Sequence, residues 1–224
     1  MNYKSTVSQP ASITDLSFED YNKRQLYEIS AERNSERALS AKPAGNFIYN
    51  GNSWQPQEYE GFAVVSMLSE NEENGYLAKR LIELQKELQY NLTPNNGFYF
   101  LPADSFHQTV ANTLSADRFK NHILNAGLED AYPAMVAKAF ENIPASDNAE
   151  PIRMTRPFIG HITLAYVEQN LNKNQKDQLP KVISELNETL ATEENYFSIS
   201  FTGLRRYHHL AEFIKQDNYP VCQL

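Results

Sequence analysis

Two stretches of this 224-residue chain place a histidine and a threonine two positions apart in strand-like surroundings: His107-Gln108-Thr109-Val110 and His161-Ile162-Thr163-Leu164. A β-strand alternates its side chains between faces, so each pair points to one side of a sheet, roughly 6 to 7 Å apart along the strand. By the same parity Phe158, Ile162 and Leu164 share the face opposite His161, which is a core face. Strand, helix, and a strand carrying the motif occur twice in order along the chain. An internal pseudo-symmetry of two lobes, built from both helices and strands, would explain that repetition.

The surrounding periodicity supplies the elements. A helix is predicted over 17–39, with Phe18, Tyr21, Leu26, Tyr27 and Ile29 on a loose apolar stripe, and Lys42-Pro43-Ala44-Gly45 breaks the pattern. Residues 1–45 therefore read as a partly helical N-terminal extension that docks on the core, and 46–224 as a single domain. Residues 46–61 mix Tyr49, Trp54 and Tyr59 with turn formers; such rings can stack bases or simply cover a core edge. Strands are predicted over 62–68, 98–101, 106–114 and 197–201, with one or two more over 152–167. Helices are predicted over 73–92, with Leu77, Leu81, Ile82, Leu84 and Leu88 inward, and over 175–190. A helical stretch over 116–143 is broken near Gly127 and Pro133, and the tail beyond 201 forms a hairpin and an edge strand.

Composition narrows the chemistry. With 41% hydrophobic residues the chain can bury a core, and no window approaches the apolar length of a membrane helix. The start Met1-Asn2-Tyr3-Lys4-Ser5 lacks the apolar stretch of a signal peptide, and the single cysteine, Cys222, has no partner for a disulfide. A soluble protein of the cytoplasm, without membrane contact, is the expectation. A formal charge of −8 disfavours long nucleic acids such as a DNA duplex, whose binding is driven by phosphate neutralisation. A nucleotide or a short RNA end needs only a local positive field. A monomer is expected.

Two imidazoles and two hydroxyls around one cleft suffice for attack on a phosphodiester and departure of its leaving group without a metal or other cofactor. One histidine would act as general base on the attacking water or hydroxyl while the other protonates the leaving oxygen, and the residues alone leave open which does which. Thr109 and Thr163 would donate hydrogen bonds to the non-bridging phosphate oxygens.

The paired motif resembles the signature of the two-histidine (2H) phosphoesterase superfamily, which includes bacterial 2′,5′ RNA ligase-like proteins and several cyclic phosphodiesterases. The second copy is the closer match, with apolar residues throughout Phe158-Ile159-Gly160-His161-Ile162-Thr163-Leu164-Ala165, whereas the first has polar Gln108 as its spacer. The resemblance implies an α+β fold of two pseudo-symmetric lobes of antiparallel sheet flanked by helices, with the active cleft between the lobes. It also implies a phosphodiesterase acting on a cyclic phosphate or a 2′,5′-type phosphodiester, with His107, Thr109, His161 and Thr163 as its catalytic set.

Other residues are candidates by position. In Phe197-Ser198-Ile199-Ser200-Phe201-Thr202 the polar residues alternate with apolar ones and are expected to line the cleft. That register continues to Arg206 and His208, whereas a bulge at Gly203 would present Arg205 and Tyr207. Arg206 and Tyr207 are taken as substrate-binding candidates; the alternative is that this run is an exposed hairpin. His122 reads as a surface or half-buried helix residue, and His209 likewise. A zinc hydrolase using His107, His161, His208 and His209 is a rival, although the chain has no His-Glu-x-x-His and no cysteine pair. A catalytically silent module that binds RNA ends or nucleotides in the same cleft is another.

Overall fold

The computed structural model describes residues 17–92, 96–141, 161–191 and 196–223. The apolar run at Gly61–Met67 forms β3, buried along its whole length at the centre of an antiparallel sheet. The sheet has the order β5-β3-β7-β8, with β5 at His107–Ser115, β7 at Phe201–Tyr207 and β8 at Val221–Gln223. Alternation along β3 creates its two faces. Phe62 and Val64 pack with Phe119, Ile123 and Leu204, while Ala63, Val65 and Met67 pack with Tyr207, Tyr59 and Phe213.

The register of β5 decides which face receives the first motif. Met67 lies opposite His107 and Val65 opposite Thr109, so both motif side chains stand on the face of Ala63, Val65 and Met67. A bulge then intervenes, because Val64 pairs with Ala111 and leaves Val110 as the extra residue. Ala111 accordingly joins Phe62 and Phe119 on the other face. The bulge lets one strand serve two different surfaces.

A second antiparallel pair, β4 (Phe98–Phe100) with β6 (Ala165–Val167), and a hairpin of β1 (Phe47–Tyr49) with β2 (Trp54–Pro56) complete the strands among the described residues. The hairpin turns through Asn50 and Gly51: the Asn50 side chain accepts the Asn52 and Ser53 amides, and Gly51 takes a φ of 97°. Helix α3 (Gly75–Asn91) buries Leu77, Leu81 and Leu84 against Leu101, Phe106, Ile162 and Leu164. Helix α6 (Lys173–Ala191) packs with α2 (Ala31–Ser40) through Leu179, Val182 and Ala38. The chain is therefore a mixed α+β protein with antiparallel sheets. No helix among the described residues is long and apolar enough to cross a membrane.

Several sequence expectations need correction. The helix expected over 17–39 is two, α1 (Phe18–Glu28) and α2, because Ser30 leaves the helical conformation and its side chain caps the Arg33 amide. The supposed stripe is mostly exposed, with Leu26, Tyr27 and Ile29 on the surface; what docks is α2. The helical stretch after Ala116 is α4 (Ala116–Phe119) running into a π turn at Lys120–Leu124, ended at Gly127 with φ 64°, then α5 (Tyr132–Glu141). Pro133 lies in the first turn of α5, where no amide is needed. The strand expected over 197–201 begins only at Phe201. Its predecessor Ser198 is captured instead by the Asn71 and Asn74 side chains, which donate to the Ser198 carbonyl. Of the strands expected over 152–167, residues 152–160, Phe158 among them, lie outside the described residues; the strand that forms is β6, so the second motif precedes a strand instead of lying on one.

Candidate functional site

His107 opens β5 and is half-buried. Its Nδ1 lies 2.7 Å from the Ser105 carbonyl oxygen, and the Phe213 ring covers it at a centroid distance of 4.0 Å. A carbonyl can only accept, so Nδ1 carries a hydrogen and Nε2 is left with the lone pair in the neutral ring. Burial pushes the His107 pKa below the ordinary histidine value; the Ser105 carbonyl opposes that shift, and the charge of His161 adds to it. The charge of His161 thus reaches His107. Thr109 shares the His107 side of the sheet. Gln108 faces the other way, opposite Ser66, and donates to the Thr109 carbonyl.

The second motif occupies a segment without regular secondary structure that leads into β6. Ile162 and Leu164 pack into the core with Leu101 and Phe106. The Leu164 carbonyl accepts from the Leu101 amide at 2.9 Å and from the buried Gln85 side chain at 2.8 Å. These anchors hold the backbone between His161, which is exposed, and Thr163, which is half-buried. Burial raises the pKa of the Tyr166 phenol, and the Thr163 hydroxyl opposes that shift.

The arginine and tyrosine candidates part company. Tyr207 lies on the His107 side: it packs with Val65 and Met67, stacks on Tyr59 at 6.3 Å and contacts Phe213 at 5.5 Å. Burial, reinforced by the Tyr59 phenol, pushes its pKa up to about 12. Arg206 is on the opposite face, against the sequence expectation. Paired with Phe62, it lies over the Phe119 ring at 4.3 Å and is bound by Glu129 and Glu60. The reason is the pairing of β7 with β3, Phe62 opposite Arg206 and Val64 opposite Leu204, which gives Thr202, Leu204 and Arg206 to the helix-covered side. Gly203, Arg205 and Tyr207 share the side of His107, without the bulge that sequence reasoning required. Ser198 and Ser200 do not line this surface either: Ser198 Oγ bonds Glu73, and Ser200 Oγ bonds Asn71.

Arg205 is 1% exposed, and its guanidinium meets both oxygens of Glu70 at 2.6 and 2.8 Å. The remaining histidines stand apart. His122 is exposed on the π turn, while His208 pairs with Glu60 at 2.9 Å beside a surface depression of about 430 Å³ that neither motif histidine lines. Among the described residues no group of three or more His, Cys, Asp or Glu side chains converges as a metal site would require. Phe213, Gln85 and Tyr166 have no signal in the sequence, since each acts through a tertiary contact, and Ser105 acts through its backbone carbonyl, which no side-chain pattern encodes.

Comparison with known proteins adds the fold and no activity. No protein-family profile and no curated protein matches the chain. A crystal structure of a conserved protein of unknown function from Agrobacterium tumefaciens is similar, with a TM-score of 0.56 at 14% sequence identity, over 90% of this chain and 98% of that one. At that identity the likeness is one of fold.

Proposed function

We propose that the protein is a metal-independent phosphodiesterase of the two-histidine kind, acting on a cyclic phosphate or a 2′,5′-type phosphodiester of an RNA end or small nucleotide. What supports this reading is that His107 and Thr109 stand on one face of the sheet and that the charge of His161, from a motif far away in sequence, helps hold the His107 pKa down. In this reading the face of the four-stranded sheet that bears His107 and Thr109 and the segment that bears His161 and Thr163 form the two walls of a cleft, each wall belonging to one lobe.

The unequal surroundings of the histidines favour one division of roles. His107 is biased toward the neutral ring by burial, and its Ser105 contact leaves Nε2 free to take a proton, so it is the general base. Exposed His161 exchanges protons with solvent and supplies one to the leaving oxygen. Water attacks phosphorus as its proton passes to His107, the P–O bond to the ribose oxygen breaks, and the His161 proton completes the released hydroxyl. Thr109 and Thr163 donate to the non-bridging oxygens, each contributing about 2 to 4 kcal/mol to the transition state.

The test is a screen of chelator-treated protein against 2′,3′-cyclic nucleotides, a 2′,5′-linked dinucleotide and 3′,5′-cyclic nucleotides. Turnover of one class, reduced about a hundredfold or more in His107→Ala and in His161→Ala, is expected. Saturable binding without product in the wild type would replace the enzyme with a binding module. Activity lost on chelation and restored by zinc would transfer the reading to a metal-dependent hydrolase.

A further inference from the structure

Helix α3 turns a polar side chain into its apolar face. Leu77, Leu81 and Leu84 are buried there, and so is Gln85, which follows Leu81 by one helical turn and is 9% exposed. A buried amide without partners is strongly unfavourable. Gln85 avoids this by donating from Nε2 to two backbone carbonyls, that of Leu101 at 2.8 Å and that of Leu164 at 2.8 Å. These carbonyls belong to the two segments that carry the motifs. Leu101 adjoins Pro102, whose carbonyl accepts from the Ser105 amide at 3.0 Å and from the Ser105 hydroxyl at 2.7 Å. The Ser105 carbonyl in turn accepts from His107 Nδ1. Leu164 directly follows Thr163, and its carbonyl also takes the Leu101 amide at 2.9 Å.

One amide on a helix therefore stands at the junction from which both histidines are held, His107 through the turn Pro102–Ser105 and His161 through the short run to Leu164. An apolar side chain would suit the stripe that Gln85 occupies, but it would take this donor from the buried Leu101 carbonyl. We infer that Gln85 is a positioning residue that fixes the first motif against the second. This inference deepens the phosphodiesterase reading of the site and rests on it. Two imidazoles that move protons on opposite sides of one phosphate must keep their separation to about half an ångström, and groups tied to a helix hold such a distance better than two free loops do.

The experiment compares Gln85→Met, which keeps the length of the side chain without its donors, with Leu179→Ala, a cavity in the contact of α6 with α2 that serves as a control for lost stability. Two readouts are taken: kcat and KM on the substrate found in the screen, and the His107 titration midpoint by NMR with and without His161→Ala, which needs no substrate. Gln85→Met is expected to lower kcat about ten- to hundredfold with KM changed less than about threefold, and Leu179→Ala to lower the thermal midpoint with kcat near that of wild type. His161→Ala removes a charge that helps hold the His107 midpoint down, so it should raise that midpoint in the otherwise wild-type protein, and by less than about half as much in the Gln85→Met background. Should Gln85→Met fail to fold, Gln85→Asn, whose amide is drawn back by one methylene, takes its place under the same criteria. A folded Gln85 variant with kcat near wild type would overturn the inference, as would an undiminished rise of the His107 midpoint in that background. In both cases the phosphodiesterase reading stands on wild-type turnover. If His161→Ala leaves the His107 midpoint unmoved in the otherwise wild-type protein, the two motifs do not share a site and both fall together.

Discussion

The ion pair of Arg205 and Glu70 offers a sharp test of the surface on which His107 stands. Arg205 is 1% exposed and Glu70 29% exposed, and their two contacts of 2.6 and 2.8 Å form on the His107 side of the sheet. The pair also braces the turn Leu68–Glu70, whose first amide donates to the Phe106 carbonyl just before the motif. Glu70→Gln leaves a guanidinium buried with one neutral acceptor in place of a carboxylate. Uncompensated buried charges cost about 3 to 5 kcal/mol, and the retained amide oxygen lowers this to about 2 to 3 kcal/mol. Arg205→Met leaves the opposite remainder, a carboxylate that can turn to water, with a similar volume of side chain in place of the arginine. Its cost should be about 1 to 2 kcal/mol. Equilibrium urea unfolding of the two single variants and the double variant measures these values. The double variant should lose less than the sum of the singles. Glu70→Gln within about 0.5 kcal/mol of wild type, or less damaging than Arg205→Met, would refute the argument that burial dominates this pair.

Because burial lowers the His107 pKa, the acid limb of the kcat/KM profile should have its midpoint below the ordinary histidine value of about 6.5; a midpoint above it would contradict the assignment of His107 as base. The same shift has a stability counterpart: as pH falls through the ordinary histidine range the unfolded chain takes up the proton first, so this group's contribution to stability declines there and levels off once folded His107 is also protonated, which urea midpoints at several pH values will show. Phe213→Ala removes the ring that lies 4.0 Å from His107 and should move the His107 titration up toward its ordinary value, read from its ring proton by NMR. Gly61→Ala should cost about 1 to 3 kcal/mol, since its methyl would sit 2.5 Å from both the Leu114 carbonyl and the Tyr207 phenol oxygen, and an unchanged thermal midpoint would refute this.

Much of the fold was legible because its signals are local. The apolar run of β3 and the leucine spacing of α3 reflect how a strand and a helix must each hide one surface, and both elements form within two residues of their expected bounds. The N-terminal helix misled because Leu26, Tyr27 and Ile29 have a helical spacing with no surface to cover them, while a single capping serine divides the segment. In β7 the clean alternation of Phe197 to Phe201 was equally persuasive, yet Asn71 and Asn74 capture Ser198 through hydrogen bonds from another element.

The sequence by itself determined that His107 shares a strand face with Thr109, since parity is a property of the strand backbone alone; Ile162 and Leu164 turn inward as expected, but on a segment that precedes β6. It could not determine which sheet face that would be, which neighbours would lie there, or where the arginines would go. Those were decided by register, a long-range quantity that one residue of slippage inverts. Pairing of Gly61 with Tyr207 sends Tyr207 to the side of His107 and Arg206 to the far side. The bulge at Val110 divides β5 between two surfaces. Tertiary contacts, Phe213 over His107 and Leu101 and Gln85 on the Leu164 carbonyl, then make two similar motifs chemically unequal.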